Sequence, residues 1–218
     1  LPLIALAGAL AGGLMLLGPA LLKTRFGVDE VVTTLLLNFV VLLFVSMLLE
    51  GPLKDARGLG WPQSAKVIDA AEWPRLIRGK RLHWGFVVGV LAALGVAALM
   101  ARTTLGYAMR AVGHNAEGAR FVGVPVERTV MATALISGGL AGLAGVAEVS
   151  GLKGNLTLDL SPGFGYTGIV VAMLALLNPI GVIFSAIFVA GIFVGADAMS
   201  RFETYSDLPG QTTIAARP

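Results

Sequence analysis

The polar side chains that stand out in this chain sit inside long uncharged stretches. Thr34 and Asn38 lie in one, Ser137 in another, and Asn178 in a third. Hydroxyls and carboxamides form hydrogen bonds without carrying charge, and polar groups within a membrane span normally face the helix bundle or a cavity. The chemistry they point to is hydrogen bonding along a path; Asn38 could equally make an interhelical hydrogen bond. Covalent chemistry finds little support. There are no cysteines, which excludes disulfides, thiolate metal sites and thiol nucleophiles. Ser137, His83 and His114 have no partners at depth that would make a nucleophile or a metal site. No G-x-x-x-x-G-K-[ST] phosphate cradle occurs; the nearest fragment, Gly151-Leu152-Lys153-Gly154, lacks the spacing. We therefore expect no catalytic residues, no cofactor and no metal.

The elements that must hold these residues are apolar helices. Of 218 residues, 56% are hydrophobic and only 13% are charged, about half the charged share of a soluble domain. Five stretches carry no charge: Leu1 to Leu22, Val31 to Leu49, Trp84 to Ala101, Thr129 to Ala147 and Leu160 to Ala196. The first four approach the roughly 20 residues that a helix needs to cross a bilayer, and lipid leaves backbone amides no partner outside a helix or closed barrel. The expected fold is all-α, a polytopic transmembrane helix bundle forming one domain over 1–218. A net charge of +3 fits loop charges that set topology, and no nucleic-acid partner is expected. Asn178-Pro179 divides the fifth stretch, because proline lacks an amide and disfavours helix in the residue before it. The sequence predicts a short or re-entrant helix over Thr167 to Leu177, a turn at Asn178-Pro179-Ile180-Gly181, and a longer helix over Ile180 to Ala196. Two ordinary helices joined by a surface turn are the alternative. Glu148 closes the fourth stretch as an interfacial charge or a path residue.

Small residues recur four apart, as Gly8 and Gly12, Gly138 and Gly142, Ala141 and Gly145, and Gly191 and Gly195. This spacing lets helices approach closely in lipid. Two loops are long. Gly51 to His83 carries Pro52, Pro62, Pro74, Gly58 and Gly60 as breakers, with Trp61 and Trp73, and is long enough to fold over the bundle. Arg102 to Arg128 contains a short polar helix. Asn115 is its N-cap, Glu117 and Arg120 suit its dipole, Gly123 ends it and Pro125 prevents continuation. Ala116 to Val122 then makes about two turns, roughly 10 Å, with Ala116 and Ala119 as a narrow smooth side and Phe121 and Val122 as apolar anchors. Such a helix either caps the bundle or fits a cleft on another protein.

TTLGYAMRAVGHNAEGARFVGV, Thr103 to Val124, resembles the cytoplasmic loop of ABC-importer permeases in the branched-chain amino acid and simple-sugar superfamily. That pattern is met by Thr103 or Thr104, Gly106, Arg110, Ala111, Gly113, Asn115, Ala119 and Gly123, with Val124 and Gly118 replacing a common Ile and Ala. Glu30 to Asp55, then Pro62-Gln63-Ser64, and Ser161 to Val182 are similar to the nucleoside and simple-sugar branch, which commonly carries Gly-Arg where Ala175-Leu176 stand. The resemblance covers nearly the whole chain, and complete members are longer at both ends.

It implies that Gly106, Arg110, Ala111, Gly113, Asn115, Ala116, Ala119 and Gly123 form a coupling segment for a separate ATPase subunit, which His114 could contact. It implies a second permease subunit and an extracytoplasmic substrate-binding protein. A nucleoside or simple sugar is neutral and hydroxyl-rich, so the uncharged Thr34, Asn38, Ser137 and Asn178 suit its translocation path; branched-chain amino acids are the alternative substrate. An ion-driven secondary transporter would need carboxylates at mid-span, which the stretches lack. The resemblance also sets topology in the cytoplasmic (inner) membrane of a bacterium, with 102–128 cytoplasmic and 51–83 extracytoplasmic. Charge alone slightly favours the reverse: six Lys/Arg (Lys23, Arg25, Arg102, Arg110, Arg120, Arg128) face eight (Lys54, Arg57, Lys66, Arg75, Arg78, Lys80, Arg81, Lys153).

Overall fold

A computed structural model describes residues 1–55, 62–68, 73–74, 83–160 and 163–206, with backbone alone at 159 and 201–206. Trp61, Gly58, Gly60, Arg57, Arg75, Arg78, Lys80, Arg81 and Ser161 lie outside the described residues. The described chain is all-α and forms two compact units, Leu1–Pro162 and Gly163–Pro218. Five helical segments are long and apolar enough to cross a membrane: Pro2–Phe26, Glu30–Glu50, Trp84–Arg102, Val126–Lys153 and Pro179–Ser200. Most of their large apolar side chains point outward, as expected where the surrounding solvent is lipid.

In the first unit, α1 (Pro2–Phe26) turns into α2 (Glu30–Glu50) through a tight elbow. Gly27 takes the left-handed conformation that closes α1 (φ 67°), its amide donating to the Lys23 carbonyl at 3.1 Å. Asp29 caps α2 by accepting from the Val31 amide at 2.7 Å. Lys23 and Glu30 form an ion pair across the elbow, each at the helix end whose dipole favours its charge. Next come α3 (Trp84–Arg102), α4 (Thr104–His114), α5 (Ala116–Phe121) and α6 (Val126–Glu148). A π-helical turn, Val149–Lys153, extends α6, and a 3-10 turn spans Leu158–Leu160.

The dominant interface of this unit joins α1 to α6. A Cβ at Gly12 would overlap the Gly138 carbonyl oxygen, and one at Gly142 would overlap that of Gly8. Two of the four-apart glycine pairs therefore face one another, bringing backbone against backbone where dispersion rather than water drives association. Gly145, Gly191 and Gly195 meet open space among the described residues, so their spacing serves no packing within either unit.

The second unit pairs α7 (Phe164–Leu174) with α8 (Pro179–Ser206). The break occurs earlier than the sequence predicts. The turn occupies 175–178, and Pro179 and Ile180 already belong to α8. The reason is local. Asn178 Oδ1 accepts from the Ile180 amide at 2.9 Å, so Asn178 is the cap, and proline at the first helical position loses no bond. Leu176 and Leu177 adopt left-handed backbone, φ 51° and 58°, a costly conformation for branched side chains.

Candidate functional site

Residues 102–128 are more ordered than a loop with one short helix. Thr103 caps α4, its Oγ1 accepting from the Gly106 amide at 3.0 Å. Gly106 is buried where a Cβ would run into the backbone of Leu99 and Met100, so α4 folds directly back against the end of α3. Sequence reasoning missed α4, although Thr103 with Leu105, Met109 and Val112 gives both the cap and the apolar face.

The short polar helix forms one residue shorter than expected. Asn115 Oδ1 accepts from the Gly118 amide at 3.0 Å, and Gly123 follows with φ 88°. Its faces divide differently from the sequence reading. Ala119 is 6% exposed and packs inward, while Phe121 is 94% and Val122 77% exposed. Ala119 thus seats the helix, and the apolar pair projects. Arg110, Gly113, Asn115 and Ala116 are exposed, and Ala111 is half-buried. Gly106 and Ala119 act inside the unit, so only part of the expected coupling segment is at the surface.

Beside this projecting helix lies a cleft of about 370 Å³ between α1, α2, α4 and α6. Each wall is one helical face. Leu16, Pro19, Ala20 and Lys23 come from α1, Glu30 and Thr34 from α2, Met109, Val112 and Gly113 from α4, and Thr129, Val130, Thr133, Ala134 and Ser137 from α6. Of the residues expected on a path, Thr34 and Ser137 meet here. Asn38, one turn beyond Thr34 in α2, is exposed, lines no part of this cleft, and its side chain makes no hydrogen bond with the described residues. Asn178 belongs to the second unit, where its side chain caps α8. Thr129 and Thr133 were missed, though Thr129, Thr133 and Ser137 form a hydroxyl stripe at four-residue spacing that the sequence displays.

The cleft is mostly apolar with a particular polar character. The Thr34 hydroxyl donates to the Glu30 carbonyl at 2.7 Å, and that of Thr133 donates to the Thr129 carbonyl at 2.7 Å. Each hydroxyl hydrogen is thereby used within its own helix, and the oxygen lone pairs remain as acceptors. Lys23 and Glu30 neutralise one another. Chemically, the cleft offers hydrogen-bond acceptance and apolar contact with no uncompensated charge. The described residues contain no group of three or more potential metal ligands.

Comparisons with known proteins identify the family of the chain. The family model described as branched-chain amino acid transport system, permease component, matches residues 1–214. The chain is 34% identical over 209 residues to the glucose ABC transporter permease protein TsgB13 of Haloferax volcanii, covering 91% of this chain and 55% of that protein. It is 33% identical over 207 residues to the guanosine ABC transporter permease protein NupP of Bacillus subtilis, covering 90% and 57%. It is 29% identical over 209 residues to the nucleoside ABC transporter permease protein NupB of Lactococcus lactis subsp. cremoris, covering 92% and 57%. The chain thus spans little more than half the length of these relatives. No solved structure matches it. With five spans of membrane length, it is a multi-pass protein of the cytoplasmic membrane, and it belongs to the family of branched-chain amino acid transport system permease components.

Proposed function

We propose that this chain is the permease part of an ATP-binding-cassette importer that moves a nucleoside or simple sugar. In this reading, α5 seats in a groove of a separate ATPase subunit through Phe121 and Val122, with Arg110 and Asn115 shaping the segment. Two permease subunits and an extracytoplasmic substrate-binding protein complete the assembly. Nucleotide-driven closure of the ATPases displaces α5, and α6, which begins after four intervening residues, carries the displacement to the cleft. The bundle then alternates between two accesses.

The observation that carries this reading is the adjacency of a projecting apolar peg and a neutral, acceptor-lined cleft. A hydroxyl-rich solute donates to Thr34, Thr133 and Ser137, and its carbon faces lie on Leu16, Pro19, Met109 and Val112. A zwitterionic amino acid would need separate partners for ammonium and carboxylate, whereas Lys23 and Glu30 are spent on each other.

The test is ATP-driven uptake by the full-length permease, reconstituted in vesicles with its ATPase and binding protein. Labelled guanosine or glucose should accumulate only with ATP inside the ATPase compartment. Accumulation of leucine instead, or uptake driven by an ion gradient without ATP, would overturn the reading.

A further inference from the structure

At the end of the first unit opposite α5, the segment 62–68 is hydrogen-bonded on both sides. On one side the Asp55 amide donates to the Gln63 carbonyl at 3.0 Å, and Lys54 pairs with Ser64 in an antiparallel bridge. This ties it to the stretch that leaves α2. On the other side the Ser64 amide donates to the Leu156 carbonyl at 2.9 Å. The Leu156 amide returns a bond to Ser64 Oγ at 2.9 Å, and Asn155 Nδ2 donates to Gln63 Oε1 at 3.1 Å. This ties it to the stretch that leaves α6. The π-helical turn contributes an anchor of its own, because the Ser150 carbonyl accepts from the Trp73 amide at 3.0 Å.

Helices α2 and α6 are thus held together at one end by a polar clasp and stand apart at the other, where Thr34 and Ser137 line the cleft. The two kinds of contact in this unit differ in how reversible they are. The glycine contact of α1 with α6 is backbone packing with no replacement partner in lipid. The bonds of Gln63 and Ser64 join small polar groups beyond the ends of the spans, where water can replace each one at little net cost. The clasp is built to part, and the α1–α6 contact is built to stay.

We propose that the Gln63–Ser64 clasp is the outer gate of the cleft. It holds α2 and α6 closed on the outer side while the cleft is open beside α5, and it separates when the cleft opens outward. Gln63, Ser64 and Asn155 are its positioning residues. This rests on the transport reading above and adds to it the place where the outer closure is made.

The chain contains no cysteine, so Gln63→Cys with Asn155→Cys can be joined by a short, reducible bis-thiosulfonate linker, any cysteine elsewhere in the full-length protein having been replaced. In the assembled importer in vesicles, complete linking should lower ATP-driven uptake at least tenfold, and reduction should restore it. Undiminished uptake with complete linking overturns the gate and leaves the transport reading intact. Failure of the pair to link in any nucleotide state also overturns it, since the pairing would then not exist. Absence of ATP-driven uptake in the unlinked parent overturns the transport reading, and the gate with it. A milder variant gives an independent readout. Gln63→Ala should raise ATP hydrolysis without binding protein severalfold by loosening the clasp, an increase that a merely damaged fold would not give; unchanged or lower hydrolysis counts against the gate.

Discussion

Phe121 presents nearly its whole ring to the surroundings from a helix of only six residues. Nothing in its own unit gains from that exposure, whereas a partner groove would, since buried aromatic anchors commonly contribute about 2 kcal/mol or more at an interface. Phe121→Ala is expected to weaken ATPase association by roughly thirtyfold on that basis while leaving thermal stability unchanged. Co-purification yield and a melting curve measure the two effects. Asn115→Ala should behave differently, because Asn115 Oδ1 caps α5. Its loss costs about 1 kcal/mol locally and frays the helix that carries Phe121. In the cleft, Thr34→Val and Thr133→Val keep the side-chain shape but remove an acceptor. Each should raise the KM for a hydroxyl-bearing solute by about fivefold, in line with about 1 kcal/mol per hydrogen bond. Uptake kinetics of the two variants check this, and equal KM values would remove these hydroxyls from the path.

At the level of elements, the α1–α6 contact is the most sensitive place in the first unit. Gly12→Leu would set a branched side chain against the Gly138 backbone, where overpacking costs about 1–3 kcal/mol or more. We expect loss of the folded, monodisperse species in detergent, as read by size exclusion, whereas Gly145→Ala, which meets open space, should be neutral. The turn between α7 and α8 offers the opposite case. Leu177 sits at φ 58°, and glycine removes a left-handed penalty of about 1–2 kcal/mol. Leu177→Gly should therefore raise the melting temperature if the lipid contact of this exposed leucine is worth less than the strain.

These elements also show what sequence can carry. Spans were legible because charge brackets them, and the Gly8, Gly12, Gly138 and Gly142 spacing was legible because lipid packing demands small residues. Which glycines met which was not, since the 3.6-residue period marks a face without naming its partner. The helix α4 went unread because its polar exposed side, with Arg110 and His114, masks an apolar face of only three side chains. The capping role of Asn178 is not legible, because a polar group deep in an apolar stretch looks the same in the sequence whether it meets solute or caps a helix. Half of the polar lining of the cleft is legible: Thr34 and Ser137 stand out by their isolation in apolar stretches and do line it, while Thr129 and Thr133 stand too near a charged boundary to attract notice. The clasp was invisible, because the bonds that tie Gln63 and Ser64 to Asn155 and Leu156 join side-chain and backbone groups some 90 residues apart, and composition carries no trace of them.

For the molecule as a whole, two physical arguments about orientation disagree, and the structure sharpens the disagreement. Lys23, Arg25, Arg102, Arg110, Arg120 and Arg128 lie at the α5 end of the first unit, whereas Lys54, Lys66 and Lys153 lie at the clasp end; the other five basic residues in the sequence count, Arg57, Arg75, Arg78, Lys80 and Arg81, lie outside the described residues. The count favours the clasp end as cytoplasmic by only two charges, and the positive-inside bias weakens when charges sit in long loops. The proposed seating of α5 in an ATPase is the stronger guide, because ATP is held on the cytoplasmic side only. We therefore expect α5 inside and the clasp outside. Single cysteines at Glu117 and Ala65, both exposed, make this measurable with a maleimide that cannot cross the bilayer. Ala65→Cys should react in intact cells, and Glu117→Cys only after the membrane is opened. The reverse pattern would remove the ATPase from reach of Phe121 and turn the clasp into an inner closure. Transport energetics would then have to enter through the clasp, whose polar, water-exchangeable bonds make a poor seat for a partner that must pull.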